Sequence, residues 1–363
     1  MGWGECMLTS NEWHQRFLKL MAEPDMIQQC NAKFINYDVN GVFVPATVSL
    51  PVHNNCYAVS PLTLISGYGE DELPKLQNPL LRKLSFSLLK AISKPLEWAG
   101  LNQVQTLNNQ CLSTNMYSSH WNAVNLSELR IKATAAHPDK ALLLRSLNDV
   151  QHSSTLQNAR RDGWLAVVTR QVYLHCDWQN FIPSADIKRD RKLLEEKGWQ
   201  FRLLKTQNEC RQAKQLYDAL YLDKYSQHNI QFSAEYMYHA VQHKLVTLFG
   251  LFYQDEMVAT LGLVVIDGDM TCPIFGYDVK KPSKVGLYRR ISIFTIEYAR
   301  ERNLNFNMSS GAPSFKTNRR AKPVIEYSYV YTRHLNPYKR LVWRVLSFLT
   351  KTVYKPILQK YRL

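Results

Sequence analysis

Gly286 stands in the polar turn KKPSKVGLYRR, after a stretch of strand character and before one of helical spacing. A glycine at the mouth of a helix lets an anion approach the first backbone N–H groups, which have no partner inside the helix. Lys284 and Arg289 add positive charge beside it and Leu287 starts the helix, so the four make a phosphate-binding candidate. Upstream, Tyr277 and Asp278 end the strand TCPIFGYDV. Asp278 reads either as a base or amine-orienting carboxylate, or as a turn aspartate. Tyr277 projects to the other side of the strand and reads as a proton donor or as a core ring. Lys224, Tyr225, His228 and Asn229 close a helix and enter a loop, as a lid over an acceptor would. His228 suits a base, histidine being the side-chain type that exchanges a proton around neutral pH, or else it caps the helix end. Asn307, Ser309, Ser310 and Lys316 are polar residues beside an apolar strand, a placement that points to a ligand, with Lys316 set to hold a phosphate or carboxylate.

Acyl transfer to an amine would use such a set. A neutral amine attacks, the oxyanion needs donors, and the leaving group needs a proton or a positive field. The backbone of Phe275 to Val279 is the expected oxyanion donor. No Gly-x-Ser-x-Gly elbow and no cysteine with an evident histidine partner is present, and the seven cysteines are widely spaced without a CxxC pair. Neither a covalent acyl-enzyme, a metal centre nor a disulfide framework is expected.

These residues need elements to hold them. NEWHQRFLKLMA has helical spacing, and KFINYDVNGVFVPATVSL reads as a hairpin across Val39-Asn40-Gly41. An amphipathic helix (NPLLRKLSFSLLKAISKPLEWAG), two strands, a helix from Ser153 and the strand WLAVVTRQVYLHCDW follow. From Trp199 the order is strand, two helices, three strands, helix and two strands. The tail from Asn336 reads as a helix broken before Pro356, with Trp343, Leu346, Leu349 and Val353 on one side and cations opposite.

At 363 residues the chain is long enough for two domains, and its 45% hydrophobic and 21% charged content is that of a globular protein. The net charge of +15 is unevenly spread: twelve Lys and Arg from Lys316 onward face Glu326 alone. An anionic partner is expected there, whether a coenzyme phosphate, an acidic carrier protein, nucleic acid or a membrane surface. The first residues lack a signal peptide's pattern and no apolar run reaches spanning length, so a cytoplasmic protein, peripheral on the inner membrane face through its tail, is expected.

YAVSPLTLISGYGEDEL, RSLN, TRQVYL, YLDKYSQHN, GYD, GLYR and LNFNMSSGAPSFK, in that order, resemble the tandem-GNAT, FemAB-like N-acyltransferases. The resemblance implies an α+β fold of two GNAT-like domains, each a mostly antiparallel mixed sheet flanked by helices: 1–198 on the acceptor side, 199–335 with the donor site, then a basic helix, 336–363. It implies an acyl-CoA cofactor such as acetyl-CoA, direct attack in a ternary complex, and a small or carrier-bound amine acceptor, with an acyl carrier protein as partner. Tyr57, Ser60 and Arg170 would line the acceptor side. The family's pyrophosphate loop is (Arg or Gln)-x-x-Gly-x-(Gly or Ala); here Ser283 and Tyr288 replace its ends and Gly286 keeps its centre. Some FemAB-like relatives use aminoacyl-tRNA, which makes tRNA the alternative donor. A further alternative is a non-catalytic GNAT-fold protein binding a membrane or nucleic acid.

Overall fold

A computed structural model describes residues 8–52, 55–67, 70–71, 79–117 and 119–361. Helix α1 (Ser10–Met21) starts at a capping box in which Thr9 and Glu12 satisfy each other's backbone N–H groups. After the short β1 (Ile27–Gln28), β2 (Ala32–Val39) and β3 (Val42–Ser49) form the expected hairpin. Its two-residue turn has positive φ at both Asn40 and Gly41, the twist that paired strands need. Next come α2 (Pro79–Trp98), β4 (Val104–Leu107), α3 (Leu126–Ala136), β5 (Ala141–Asn148), α4 (Ser153–Arg161), β6 (Leu165–His175) and α5 (Ala185–Arg191).

The second half runs β7 (Trp199–Leu203), α6 (Gln207–Leu220), β8 (Gln231–Phe232), α7 (Ala234–Gln242), β9 (Thr247–Tyr253), β10 (Glu256–Ile266) and β11 (Asp269–Tyr277). It continues through α8 (Leu287–Glu301), β12 (Asn305–Asn307), α9 (Pro313–Asn318), β13 (Lys322–Tyr331), α10 (Pro337–Leu349) and α11 (Lys355–Tyr361). The fold class is the expected mixture of strands and flanking helices. The strands of both halves join in one 11-stranded sheet, ordered β2-β3-β4-β5-β13-β6-β12-β11-β10-β9-β7. β13 comes from the second half of the sequence, yet it is hydrogen-bonded on one side by β5 and on the other by β6. The tail departs from expectation. It is not broken before Pro356 but passes through a wide turn, Thr350–Tyr354, directly into α11.

α6 lies across the second half of the sheet at very close range. A Cβ added to Gly276 of β11 would come within 2.5 Å of the Leu216 carbonyl carbon and the Tyr217 nitrogen, backbone atoms that cannot swing aside. Only hydrogen fits, and that contact sets the end of α6 over the end of β11. Gly276→Ala is expected to cost about 1–3 kcal/mol, read as a lower thermal midpoint. An unchanged midpoint would mean that α6 rides freely over the strand.

Candidate functional site

The sheet parts between β11 and β12. The two run parallel for only three residue pairs, Asp269–Asn305 to Thr271–Asn307. Beyond Asn307 the chain follows β6, with the Met308 amide donating to the Tyr173 carbonyl at 2.9 Å. β11 instead follows β10 as far as Tyr277 opposite Ala259, and the Asp278 amide donates to the Val258 carbonyl at 2.9 Å. Amide direction alternates along an antiparallel strand. If Asp278 and Gly276 point to β10, the amides of Phe275 and Tyr277 point away from it, into the opening.

Aromatic rings line that opening. Phe275 and Tyr277, two residues apart, both meet the Tyr288 ring from α8, at centroid distances of 5.5 and 6.4 Å, and Phe315 meets it at 4.5 Å. The end of α6 widens into the turn Tyr221–Tyr225, which sets Tyr221 and Tyr225 edge to face at 5.9 Å. Burial pushes the Tyr277, Tyr288 and Tyr221 hydroxyls up from their ordinary values, and the neighbouring Tyr225 adds to each. The Cys272 thiol, partly buried on β11, is pushed up to about 12 by the same cause. At neutral pH these groups are proton donors rather than bases.

On the β6 side stands a buried ionic network that joins the halves. Glu326 of β13 takes Nε of Arg170 at 2.7 Å and Nη2 at 3.1 Å, and both side chains are largely shielded from water. Arg170 also donates to the Ser113 carbonyl at 2.6 Å, to Thr114 Oγ1 at 3.1 Å and to Ser309 Oγ at 3.1 Å. Arg145 lies over the Tyr57 ring at 5.6 Å.

The sequence candidates fall into two sets. Tyr277 and Tyr225 come together at the opening, while Asp278 follows at the strand end with its Oδ1 accepting the Lys280 amide at 2.9 Å, so one carboxylate oxygen serves the turn. Lys224 is exposed on the wide turn. Asn229 is buried and donates to the Tyr221 carbonyl at 2.8 Å, tying down that turn. His228 packs on Gly67, where a Cβ would come within 2.7 Å of its Nε2. Gly286 takes φ 73° at the start of α8, as a glycine helix entry requires.

Other candidates serve the fold more than a ligand. Arg289 is bound by Asp190, at 2.7 Å from Nε, and Arg319 donates to the other oxygen of the same fully buried carboxylate at 2.8 Å. Tyr288 sits in the aromatic group, and Leu287 is buried. Lys316 is turned inward, and its Nζ donates to the carbonyls of Met308 (2.8 Å), Ser309 (3.2 Å) and Ser310 (2.6 Å). An ammonium has three donors, so none remains for a phosphate or carboxylate. Burial and then Arg170 pull its pKa down to about 7, while the three carbonyls favour the charged form. Asn307 accepts the Ser309 amide at 2.8 Å and shapes the same loop. Tyr57 and Ser60 are buried; Ser60 Oγ accepts the Thr63 amide at 3.2 Å and caps the next helical turn. Lys284 stands in the single turn Ser283–Val285 that enters α8.

Tyr221, Glu326 and Asp190 were not among the sequence candidates. The spacing of Tyr221 and Tyr225 at a helix end, and Glu326 as the lone acid of a basic segment, were available signals. Asp190, in the charged run ADIKRDR, gave none.

No protein-family model matches the sequence, and no curated protein does. Solved structures do match. L-PGS from Bacillus licheniformis is similar with a TM-score of 0.51 at 12% identity, over 94% of this chain and 99% of its own. The C-terminal domain of a putative lysylphosphatidylglycerol synthetase from Agrobacterium fabrum matches at 0.51 and 10%, over 94% and 98%. FemX matches at 0.51 and 8%, over 95% and 100%. At these identities the likeness is one of architecture. The chain shares the fold of FemX and of these two structures.

Proposed function

We propose that this chain transfers an acyl or aminoacyl group from an activated donor to an amine, by direct attack in the opening between β11 and β12. The reading is carried by the Phe275 and Tyr277 amides, turned into a place where no neighbouring strand among the described residues takes them up. Two fixed N–H groups in a partly dry cleft would stabilise the oxyanion of a carbonyl under attack. Asp278 would orient the amine with its second oxygen. The Tyr277 hydroxyl, kept protonated by burial and by Tyr225, would supply a proton to the leaving group.

Between donors, aminoacyl-tRNA is favoured over a CoA thioester. Arg289 is already matched by Asp190, and Tyr288 occupies the side of the α8 entry where the family motif has a small residue. The cations from Lys316 onward, apart from the buried Lys316 and Arg319, suit a large polyanion, and one of the similar structures is named as a putative lysylphosphatidylglycerol synthetase. Acyl-CoA or a carrier-bound thioester is the second reading, favoured by the left-handed Gly286 that opens α8.

Mixed charged tRNAs should be retained by the protein on filters, less so as salt rises, while CoA and acetyl-CoA leave the melting temperature unmoved. A CoA-dependent rise in melting temperature would move the donor to the thioester. Binding of neither donor would remove the transferase reading. With the donor that binds, Tyr277→Phe should lower kcat by roughly 100-fold and leave donor binding unchanged.

A further inference from the structure

Two neighbouring helices carry large apolar side chains on their outer faces. α2 and α10 lie together on one face of the sheet. Ile92 and Leu96 of the first, and Val342, Trp343 and Leu346 of the second, share one cluster with Val104, Leu143, Val167 and Val330 of the strands below. The Tyr338 hydroxyl of α10 donates to the Pro95 carbonyl of α2 at 3.1 Å. Because both helices cover the same sheet face, the sides away from it look outward in one direction. Phe86 and Trp98 of α2, and Leu341, Val345 and Phe348 of α10, lie there; Trp98 is 69% exposed and Phe348 64%. Of the apolar side expected from sequence, Leu349 and Val353 are themselves exposed. Trp343 and Leu346 go inward, and a second stripe (Leu341, Val345, Phe348) goes out.

Charge follows the outward stripe. Helical spacing puts Lys83, Lys90 and Lys94 on the outer side of α2, and Arg340 and Arg344 along one edge of the α10 stripe, with Lys351 on the wide turn that follows. From Tyr327 to the end of the sequence there is no Asp or Glu, and α2 has Glu97 alone. Long cationic side chains can rest along an apolar surface and reach headgroups with their tips.

We propose that the joint outer face of α2 and α10 docks this protein on an anionic lipid bilayer. The aromatic and aliphatic tips enter the acyl boundary and the cations pair with headgroups. A second copy of the chain is disfavoured because the face is cationic on both partners. A nucleic acid offers no apolar layer to take up Phe348, Trp98 and Leu341. Among the described residues no helix is long and apolar enough to cross a membrane, so the contact is interfacial. The proposal stands apart from the transferase reading, while Arg340, Arg344 and Lys351 also belong to the cations that favour a polyanionic donor.

The test is co-sedimentation with vesicles of equal parts phosphatidylglycerol and phosphatidylcholine, beside vesicles of phosphatidylcholine alone. Binding to the first and not the second, weakening with salt, is expected. Leu341→Ser with Phe348→Ser should lower partitioning by at least roughly tenfold. Arg344→Gln with Lys351→Gln should lower it on the order of thirtyfold. All four side chains are exposed, so an unchanged thermal midpoint confirms that the variants fold. No sedimentation with anionic vesicles at low salt would overturn the proposal, as would serine variants that bind as well as the parent. Dimerisation abolished by the serine changes, with no vesicle binding, would assign the face to a second copy and overturn it too.

Discussion

Glu326→Ala should lower the stability of the folded chain by about 3–5 kcal/mol, because it leaves a buried arginine without its counter-charge. The pair is shielded: the Glu326 side chain is 4% exposed and that of Arg170 21%. Arg145 and Lys316 bring further positive charge near the same place, which makes the loss of Glu326 costlier. Urea unfolding monitored by tryptophan fluorescence measures the loss. Adding Arg170→Met should recover part of it, since removing both partners of a buried pair costs less than removing one. A single-variant loss below about 1 kcal/mol would mean that water reaches the pair and screens it. The consequence extends to the opening. Arg170 holds Ser309 Oγ, and Ser309 belongs to the loop that leads the chain away from β11, so the variant should also impair transfer more than donor binding.

The network explains why one strand from the second half of the sequence sits among those of the first. β13 brings Glu326 between β5 and β6, where Arg170 meets it in the adjacent strand. The same arginine reaches Ser309 on the loop after β12. One side chain therefore links the first half's strands to the loop opposite the oxyanion donors. Lys316 supports that loop from behind through three carbonyls. The gap between β11 and β12 is thus held from both banks: by Gly276 packing under α6 on one, and by Arg170 and Lys316 on the other.

Most elements were legible because their signals are local. The Asn40-Gly41 turn dictates its hairpin, and the continuous apolar run of β5 matches a strand buried along its whole length. Three helices were missed. Leu126–Ala136 has little apolar asymmetry, and Ala185–Arg191 and Pro313–Asn318 are short enough to read as loop. The position of β13 could not be read at all, since strand order depends on pairing across long stretches of sequence. That hidden pairing is also why Lys316 and Arg170 were assigned to ligands: their true partners lie on elements whose neighbours the sequence does not name. The residues around β11 were legible for the opposite reason. Tyr277, Asp278 and Gly286 act through the strand end and helix start that they themselves mark.

Acidification should unfold this protein well above the pH at which carboxylates protonate, because three histidines are buried in neutral form. His14 accepts from Gln110 through one ring nitrogen and donates to the Phe43 carbonyl through the other, so a second proton would face a donor. His152 accepts the Asn148 amide at 3.1 Å. His175 is stacked on Trp178 at 4.9 Å, and its buried Nε2 has no partner among the described residues. Burial lowers His14 and His175 to about 4 and His152 to about 3. Their contribution is complete above the unfolded value near 6.5. As the pH falls below that, the unfolded chain gains protons that the native state refuses, and stability is lost down to the folded values. Between pH 6.5 and 4.5 the three together should lose about 7 kcal/mol. Asp269 works the other way. Burial raises it to about 6, so its contribution grows as the pH falls through that value and returns about 2 kcal/mol over the same range. The net loss, about 5 kcal/mol, reaches the low end of an ordinary domain's whole stability. Urea unfolding at successive pH values should show the midpoint falling steeply below pH 6.5. His175→Phe, which fits a ring already stacked on aromatics, should make that fall shallower by one proton. Equal stability at pH 7 and 4.5 would show that these imidazoles take up protons without disturbing their surroundings.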